Sequence, residues 1–121
     1  MEEYLLDTYA LIEIVKENNN YEKFKDTINF TSLLNLLELH NAILKSFGEG
    51  KADEITEKFK ELLISFDIED IKLASKLKSK FKPKKFSYID CLGYAISINR
   101  KWKFVTGDKE FENLDNVEFV K

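Results

Sequence analysis

Tyr4-Leu5-Leu6-Asp7-Thr8 is the stretch that decides the fold of this chain. A short apolar run ends on an acid, and Leu11, Ile12 and Val15 then follow at the spacing of a helix. A continuous apolar run is typical of a strand buried in a parallel sheet. Ligands of open α/β sheets gather outside the carboxyl ends of the strands. Asp7 therefore lies where such a sheet would place a functional residue.

Strand and helix patterns alternate along the rest of the chain. Further strands are predicted at residues 27–31, 63–66, 103–106 and 117–120. Helices are predicted at 8–17, 32–47, 51–62, 69–81 and 87–98, and a short helix is allowed at 21–26. This order predicts βαβ units, which give an α/β fold with a parallel sheet covered by helices on both faces.

Two of the predicted helices carry more specific expectations. Ser32 is expected to cap the helix at 32–47, and Gly48-Glu49-Gly50 to end it. The same helix is apolar on nearly every side, which predicts that it is buried. The inward positions of the helix at 69–81 are expected to be Ile71, Ala74 and Leu77.

The composition indicates one domain that spans residues 1–121. The 121 residues are 44% hydrophobic and 13% aromatic, which is enough for one core, and one Pro and four Gly leave no linker. Cys91 is the only cysteine, which excludes an internal disulfide and a cysteine-cluster zinc site. The sequence lacks a signal-peptide pattern and any apolar run near the roughly 20 residues that span a bilayer. We therefore expect a cytoplasmic protein with no membrane partner.

The net charge of −3, from 22 acidic and 19 basic residues, argues by itself against a nucleic-acid partner. The distribution of the charge weakens that argument. Seven lysines and no acid lie between Lys72 and Lys85.

Four acids need an explanation: Asp7, Glu38, Asp90 and Asp108. A simpler interpretation exists for each: a helix cap for Asp7, a capping box with Ser87 for Asp90, a turn residue for Asp108, and a narrow polar stripe facing water for Glu38. Glu38 is the hardest to dismiss, because it lies in an apolar helix. A lone buried carboxylate costs several kcal/mol unless it is paired, protonated or bound to a metal ion.

The four acids are better explained as a set. Two follow strands, one lies in a helix after a strand, and one opens the helix before the fourth strand, so a doubly wound sheet can bring all four to one edge. Carboxylates packed together repel each other unless cations lie between them. Oxygen ligands suit Mg²⁺ or Mn²⁺, and two such ions about 3.5–4 Å apart can activate water and stabilise the leaving oxygen of a phosphodiester.

With these acids placed, the chain resembles the PIN-domain ribonucleases, in particular the VapC-type toxins of toxin–antitoxin pairs. The resemblance covers nearly the whole length, and each of its motifs is nonspecific when taken alone. The ordered set is fairly specific. Its members are Tyr4-Leu-Leu-Asp7-Thr8, Thr31-Ser-Leu-Leu-Asn-Leu-Leu-Glu38-Leu, Ser87-Tyr-Ile-Asp90-Cys-Leu-Gly-Tyr-Ala95 and Phe104-Val-Thr-Gly-Asp108-Lys-Glu-Phe111.

The resemblance implies a three-layer α/β/α fold with a central, mainly parallel sheet of about five strands. It also implies an endoribonuclease that cleaves RNA with water activated by Mg²⁺ or Mn²⁺. The family's catalytic and metal-binding positions are occupied by Asp7, Glu38, Asp90 and Asp108. Thr8 and Thr106 match hydroxyl positions that orient water. An antitoxin partner and a homodimer are further implications.

Other residues carry weaker expectations. Lys82, Lys84 and Lys85 are expected beside Asp90, where they either contact RNA phosphates or form a solvated lysine-rich surface. His40 is the only histidine, and a mechanism based on metal-activated water does not need it.

Alternative functions remain open. The chain is either an active nuclease or a catalytically inactive PIN-like module that binds protein or RNA, and an active nuclease serves as a toxin or in RNA processing. A haloacid-dehalogenase phosphatase fits poorly, because Tyr9 stands where that class needs a second Asp after Asp7. A dinucleotide-binding domain is excluded because the first turn is not rich in Gly.

Overall fold

The computed structural model describes residues 2–121 and has a five-stranded sheet at its centre. The strands lie in the order β3-β2-β1-β4-β5, and every neighbouring pair is parallel. Their bounds are β1 (Glu3–Leu6), β2 (Ile28–Ser32), β3 (Leu63–Ile64), β4 (Lys103–Thr106) and β5 (Val117–Phe119). The predicted strands are confirmed, although β3 is shorter than expected.

Within residues 2–121, five α-helices and three 3-10 helices connect the strands. The α-helices are α1 (Thr8–Val15), α2 (Leu33–Phe47), α3 (Glu49–Phe59), α4 (Ile68–Lys80) and α5 (Tyr88–Arg100). The 3-10 helices are Asn19–Asp26, Lys60–Leu62 and Lys109–Phe111. No helix in this part of the chain combines the length and the apolar character needed to cross a membrane.

The sheet separates two helical layers. Tyr4 and Leu6 of β1 pack in one apolar cluster with α1, α2 and α3, whereas Leu5 packs in a second cluster with α4 and α5. Val105 and Phe104 of β4 divide between the same two clusters. Successive strand residues point to opposite faces of a sheet, so both faces of β1 and β4 are covered. The three-layer α/β/α fold is thereby confirmed.

Both predicted ends of α2 are confirmed, but the helix that follows starts earlier than expected. Ser32 caps the helix, and its hydroxyl accepts a hydrogen bond from the Asn35 amide at 3.1 Å. Gly48 ends α2 with φ at 87°, a conformation that favours glycine. The next helix was expected from Lys51, but it starts at Glu49 because Gly48 alone completes the turn.

Two expectations about burial are wrong. α2 is not buried on all sides: Leu33 and Leu37 are each 61% exposed, because the helix packs in the cluster with α1 and α3 through its opposite side. Ile71 of α4 does not face inward and is 50% exposed. Asp70 is buried instead, and it is stabilised by an ion pair with Arg100 of α5 at 3.1 Å.

α5 packs unusually close to the sheet at Gly93. A β-carbon at this position would lie 3.0 Å from the Phe104 ring and 3.4 Å from the Leu5 side chain. The glycine therefore lets the first turns of α5 approach the carboxyl ends of β1 and β4. Asp90 lies one turn earlier on the same helix.

Candidate metal and active site

Asp7 lies at the carboxyl end of the central strand. The register pairs Leu6 with Val105, and the Asp7 amide donates to the Val105 carbonyl at 3.1 Å. The side chain is 4% exposed, and its Oδ1 accepts a hydrogen bond from the Ala10 amide at 2.8 Å. Asp7 is thus the N-cap of α1, as the simpler interpretation predicted, and a buried carboxylate at the sheet edge as well.

Glu38 reaches the same edge through Thr8. The Thr8 hydroxyl donates to Glu38 Oε1 at 2.6 Å and accepts from Asn35 Nδ2 at 3.1 Å. Asn35 is 1% exposed, and its Oδ1 accepts from the Ser32 hydroxyl at 2.7 Å. A continuous chain of hydrogen bonds therefore joins the start of α2 to the residue that follows Asp7.

Asp108 reaches the edge through the other predicted threonine. The Asp108 amide donates to Thr106 Oγ1 at 3.0 Å, and Asp108 Oδ1 accepts from the Glu110 amide at 3.0 Å. Thr106 is fully buried at the end of β4, beside β1. The interpretation of Asp108 as a turn residue is confirmed, and the turn keeps Asp108 next to the strand end that neighbours Asp7.

The approach to Asp108 requires Gly107. A β-carbon on Gly107 would collide with the Tyr9 ring and would lie 2.6 Å from the Val120 carbonyl oxygen. Only hydrogen fits there, so the chain after β4 stays close to α1 and to the end of β5.

Asp90 occupies the first turn of α5 in the predicted capping box. The Ser87 amide donates to Asp90 Oδ2 at 2.9 Å, and the Asp90 amide donates to the Ser87 hydroxyl at 3.0 Å. This box orients Asp90 at the start of the helix that Gly93 brings against the sheet.

The charges of the four acids affect one another. Burial is the main reason that the pKa of Asp7 rises to about 7, and the charges of Asp90 and Asp108 raise it further. The Thr106 hydroxyl opposes this rise in the pKa of Asp7. Burial also raises the pKa of Asp90, with smaller contributions from Asp108 and Glu38. Asp7, Asp90 and Asp108 therefore interact electrostatically with one another, and Glu38 interacts with Asp90.

The donor atoms at this edge suit a hard divalent cation. Glu38, Asp90 and Asp108 each keep one carboxylate oxygen that has no hydrogen-bond donor in the described part of the chain. Within residues 2–121, no group of three or more Asp, Glu, His or Cys side chains is close enough to hold a metal ion as arranged. Each carboxylate is instead oriented by its own cap or hydroxyl donor. An oxygen-only donor set is the kind that Mg²⁺ and Mn²⁺ prefer, and these side chains would have to rotate to share one ion.

The predicted lysines lie in a loop near Asp108, whereas the single histidine has a structural contact between two helices. Lys82 and Lys85 are exposed and Lys84 is partly exposed, in the loop between α4 and α5. The Lys85 amide donates to Glu110 Oε1 at 3.3 Å, which places the loop beside the segment after Asp108. His40 Nε2 lies 3.1 Å from Asp53 Oδ1, so it links α2 to α3.

Asn35 is the site residue that the sequence interpretation missed. It stands three residues before Glu38, and positions i and i+3 share a helix face. A polar residue on the inward face of an apolar helix was the available signal.

Comparisons with known proteins agree with this architecture. The sequence matches the PIN domain family over residues 4–117, and no curated protein matches it. VapBC2 of Rickettsia felis bound to a promoter DNA fragment is similar in structure, with 20% identity, a TM-score of 0.78, and coverage of 98% of this chain and 99% of that chain. VapC20 of Mycobacterium tuberculosis, a sarcin–ricin loop cleaving toxin, has 12% identity, a TM-score of 0.77 and coverage of 98% and 99%. DNA-bound VapBC of Salmonella typhimurium has 17% identity, a TM-score of 0.77 and coverage of 98% and 97%.

At these identities the structural likeness establishes the fold alone. The family match over residues 4–117 spans nearly the whole chain, from within β1 to the first residue of β5. The chain therefore belongs to the PIN-domain family.

Proposed function

We propose that this chain is a cytoplasmic, metal-dependent endoribonuclease and the toxin of a toxin–antitoxin pair. The observation that carries the proposal is the pair of threonine links, from Thr8 to Glu38 and from Thr106 to Asp108, on either side of Asp7. PIN domains are generally nucleases that use divalent metal ions, which supports the proposal. The similarity to a toxin that cleaves the sarcin–ricin loop supports RNA as the substrate.

In this proposal Asp7, Glu38, Asp90 and Asp108 hold Mg²⁺ or Mn²⁺. The bound cation would supply an activated water for attack on the phosphodiester and would stabilise the leaving oxygen. Burial disfavours the ionised form of Asp7, so a bound cation would stabilise this carboxylate strongly.

The two hydroxyls have a positioning task in the same proposal. Thr8 uses its proton on Glu38 and accepts from Asn35, which leaves one acceptor position of its oxygen for a water molecule. Thr106 accepts from the Asp108 amide and stands beside Asp7. Thr8 therefore orients the Glu38 carboxylate and Thr106 holds the Asp108 backbone, and in this proposal both hydroxyls also orient water.

Protein partners are a further part of the proposal. Exposed apolar side chains on α2 and α4, including Leu33, Leu37, Phe47 and Ile68, favour contact with another protein. We propose an antitoxin protein and a homodimer as these partners, and the similar structures that are toxin–antitoxin complexes support the antitoxin. Lys82, Lys84 and Lys85 would contact RNA phosphates at the edge of the acidic site.

Cleavage of a labelled single-stranded RNA by the purified full-length chain tests the proposal. We expect cleavage with Mn²⁺ or Mg²⁺ and none with EDTA. Asp7→Asn and Asp90→Asn should lose cleavage and keep the fold. Asp67→Asn is the matched control, because Asp67 caps α4 and Asn also serves as a cap.

Failure to cleave RNA under a broad range of divalent metals would instead favour an inactive module that binds protein or RNA. Growth arrest on expression, reversed by a protein encoded beside this chain, would distinguish a toxin from an RNA-processing nuclease.

A further inference from the structure

An exposed tyrosine begins α5, the helix that carries Asp90. Tyr88 is the first residue of this helix and is 71% exposed. It lies two positions before Asp90 in the same helical turn. A surface cleft of about 340 Å³ beside it is lined by Ser75, Lys78, Ser79, Lys82 and Tyr88.

Lys78 is fixed beside the Tyr88 ring. Its Nζ donates to the Phe86 carbonyl at 2.7 Å and lies 5.0 Å from the centroid of the Tyr88 ring. An ammonium group has three donors, so two remain free to bind an anion. The cleft thus joins an aromatic face to an ordered cation.

The charged residues that line this cleft, Lys78 and Lys82, are both positive. No acid occurs between Asp70 and Asp90, whereas the chain as a whole has a net charge of −3. The positive charge is therefore concentrated on α4 and on the loop before α5, which precedes Asp90 in sequence and contacts Glu110 after Asp108. A polyanion drawn to this region would be repelled by the acids unless lysines offset their charge.

We propose that Tyr88, Lys78 and Lys82 form a subsite for one nucleotide of single-stranded RNA, at the start of the helix that carries Asp90. This inference rests on the proposed nuclease function. The base stacks on the Tyr88 ring, since bases of unpaired strands stack on exposed aromatic side chains. The adjoining phosphate binds Lys78 and Lys82, which gives affinity without sequence readout.

Binding of a short labelled single-stranded RNA, measured by fluorescence anisotropy, tests the subsite. The full-length chain carries Asp7→Asn so that the RNA stays intact. Tyr88→Ala should weaken binding about 5- to 100-fold, the range of one lost stacking contact, while Tyr88→Phe keeps the ring and the affinity. Lys82→Gln should reduce the slope of log K against log salt by about 0.7. Lys76→Gln, an exposed lysine outside the cleft, serves as the control.

The outcomes separate the subsite from the nuclease proposal. Unchanged affinity in Tyr88→Ala, or no RNA binding by the parent chain, overturns the subsite. A change of oligomeric state in Tyr88→Ala with no change in RNA affinity also overturns it and assigns this face to a protein contact. If RNA binding depends on Tyr88 but the chain with Asp7 intact never cleaves, the nuclease function fails and the subsite stands. If that chain cleaves with the same KM in Tyr88→Ala, the subsite fails and the nuclease function stands.

Discussion

Asp7 has two roles that make opposite demands on its charge. As the cap of α1 it accepts a hydrogen bond from the Ala10 amide, and that bond favours the ionised form. Its burial at the sheet edge, beside Asp90 and Asp108, disfavours that form and raises its pKa to about 7. A cation bound at the edge would stabilise the ionised Asp7 carboxylate. In the metal-free protein, ionisation of Asp7 destabilises the folded state.

The stability of the metal-free protein should therefore fall as the pH rises from about 4 to about 7. In this window the unfolded chain has lost the Asp7 proton, with a pKa near 3.8, while the folded chain retains it. The folded state then binds more protons, so a rise in pH favours unfolding, by roughly 2 to 4 kcal/mol for this group. Urea unfolding in EDTA across this range measures the effect.

Asp7→Asn is the comparison for this pH dependence. It retains a cap and lacks the charge, so its stability should depend less on pH, with a smaller slope of the same sign left by Asp90. Equal pH dependence in the two proteins would show that Asp7 is not buried as described.

The hydroxyl of Thr8 should control the affinity for the cation. Thr8→Val removes the donor that orients Glu38, and loss of such an outer partner typically lowers metal affinity 10- to 100-fold. Thr8→Ser should retain most of the affinity. Titration with Mn²⁺, followed by calorimetry or by the melting temperature, measures the dissociation constant of each variant.

Thr56→Val is the matched control for Thr8→Val. Thr56 Oγ1 is buried without a hydrogen-bond partner in the described part of the chain, so its removal should be neutral or stabilising. The Mn²⁺ affinity should stay unchanged. A loss of affinity as large as that of Thr8→Val would mean that the effect is not local to Glu38.

Individual residues were predictable where their type and neighbours restricted them. Asp7, Asp90 and Asp108 each stand at a strand or helix boundary that the sequence marks, so both their cap role and their common edge followed from the pattern. Asn35 did not follow, because its role depends on Thr8, which is distant in sequence and reaches it only through the packing of α1 against α2.

At the scale of elements, the contact between α4 and α5 depends on a partly buried ion pair. Asp70 is 1% exposed, and burial alone would raise its pKa. Hydrogen bonds from Asn99 and the Asp67 amide and the charge of Arg100 outweigh burial, so the pKa of Asp70 lies below its usual range.

Arg100→Ala should destabilise the protein by roughly 1 to 3 kcal/mol, because it leaves a buried carboxylate without its main cation. This loss is smaller than that for a fully buried pair, because the Arg100 side chain is 26% exposed and water screens its charge. Chemical denaturation measures the change. Lys76→Ala on the exposed side of α4 should change stability by less than about 0.5 kcal/mol, and an equal loss in both variants would contradict the role of the ion pair.

Gly107→Ala should disturb the segment between β4 and Asp108. The new methyl group would displace the Tyr9 ring and the Val120 carbonyl, so we expect a loss of roughly 1 to 3 kcal/mol in stability and weaker Mn²⁺ binding.

Gly50→Ala is the matched control, because no atom lies within 4 Å of the added β-carbon and the residue is helical. It should stabilise α3 by up to about 1 kcal/mol.

Element order was predictable because apolar runs and helical spacing alternate clearly along the chain. The exposed faces were not predictable in the same way. α2 is apolar on nearly all sides, and only its packing against α1 and α3 shows that Leu33 and Leu37 face outward. Ile71 of α4 was wrongly expected to face inward, because the burial of Asp70 depends on its partner Arg100, which lies on another helix.

At the scale of the whole molecule, the acidic edge joins the two helical layers. Glu38 comes from the layer of α1 to α3, Asp90 comes from the layer of α4 and α5, and Asp7 and Asp108 come from the ends of two neighbouring strands. The sheet order was not fixed by local patterns, yet the parallel arrangement alone was sufficient to predict one shared edge. Distances within that edge depend on side-chain rotations that no local pattern specifies.

A crystal grown with Mn²⁺ and examined by anomalous scattering tests the central claim most directly. We predict a Mn²⁺ peak at the carboxyl edge of the sheet, about 2.1 Å from oxygens of Asp7 and of at least one of Glu38, Asp90 and Asp108. Mn²⁺ sites found only elsewhere on the molecule, with these carboxylates unchanged at a saturating concentration of the ion, would contradict the claim.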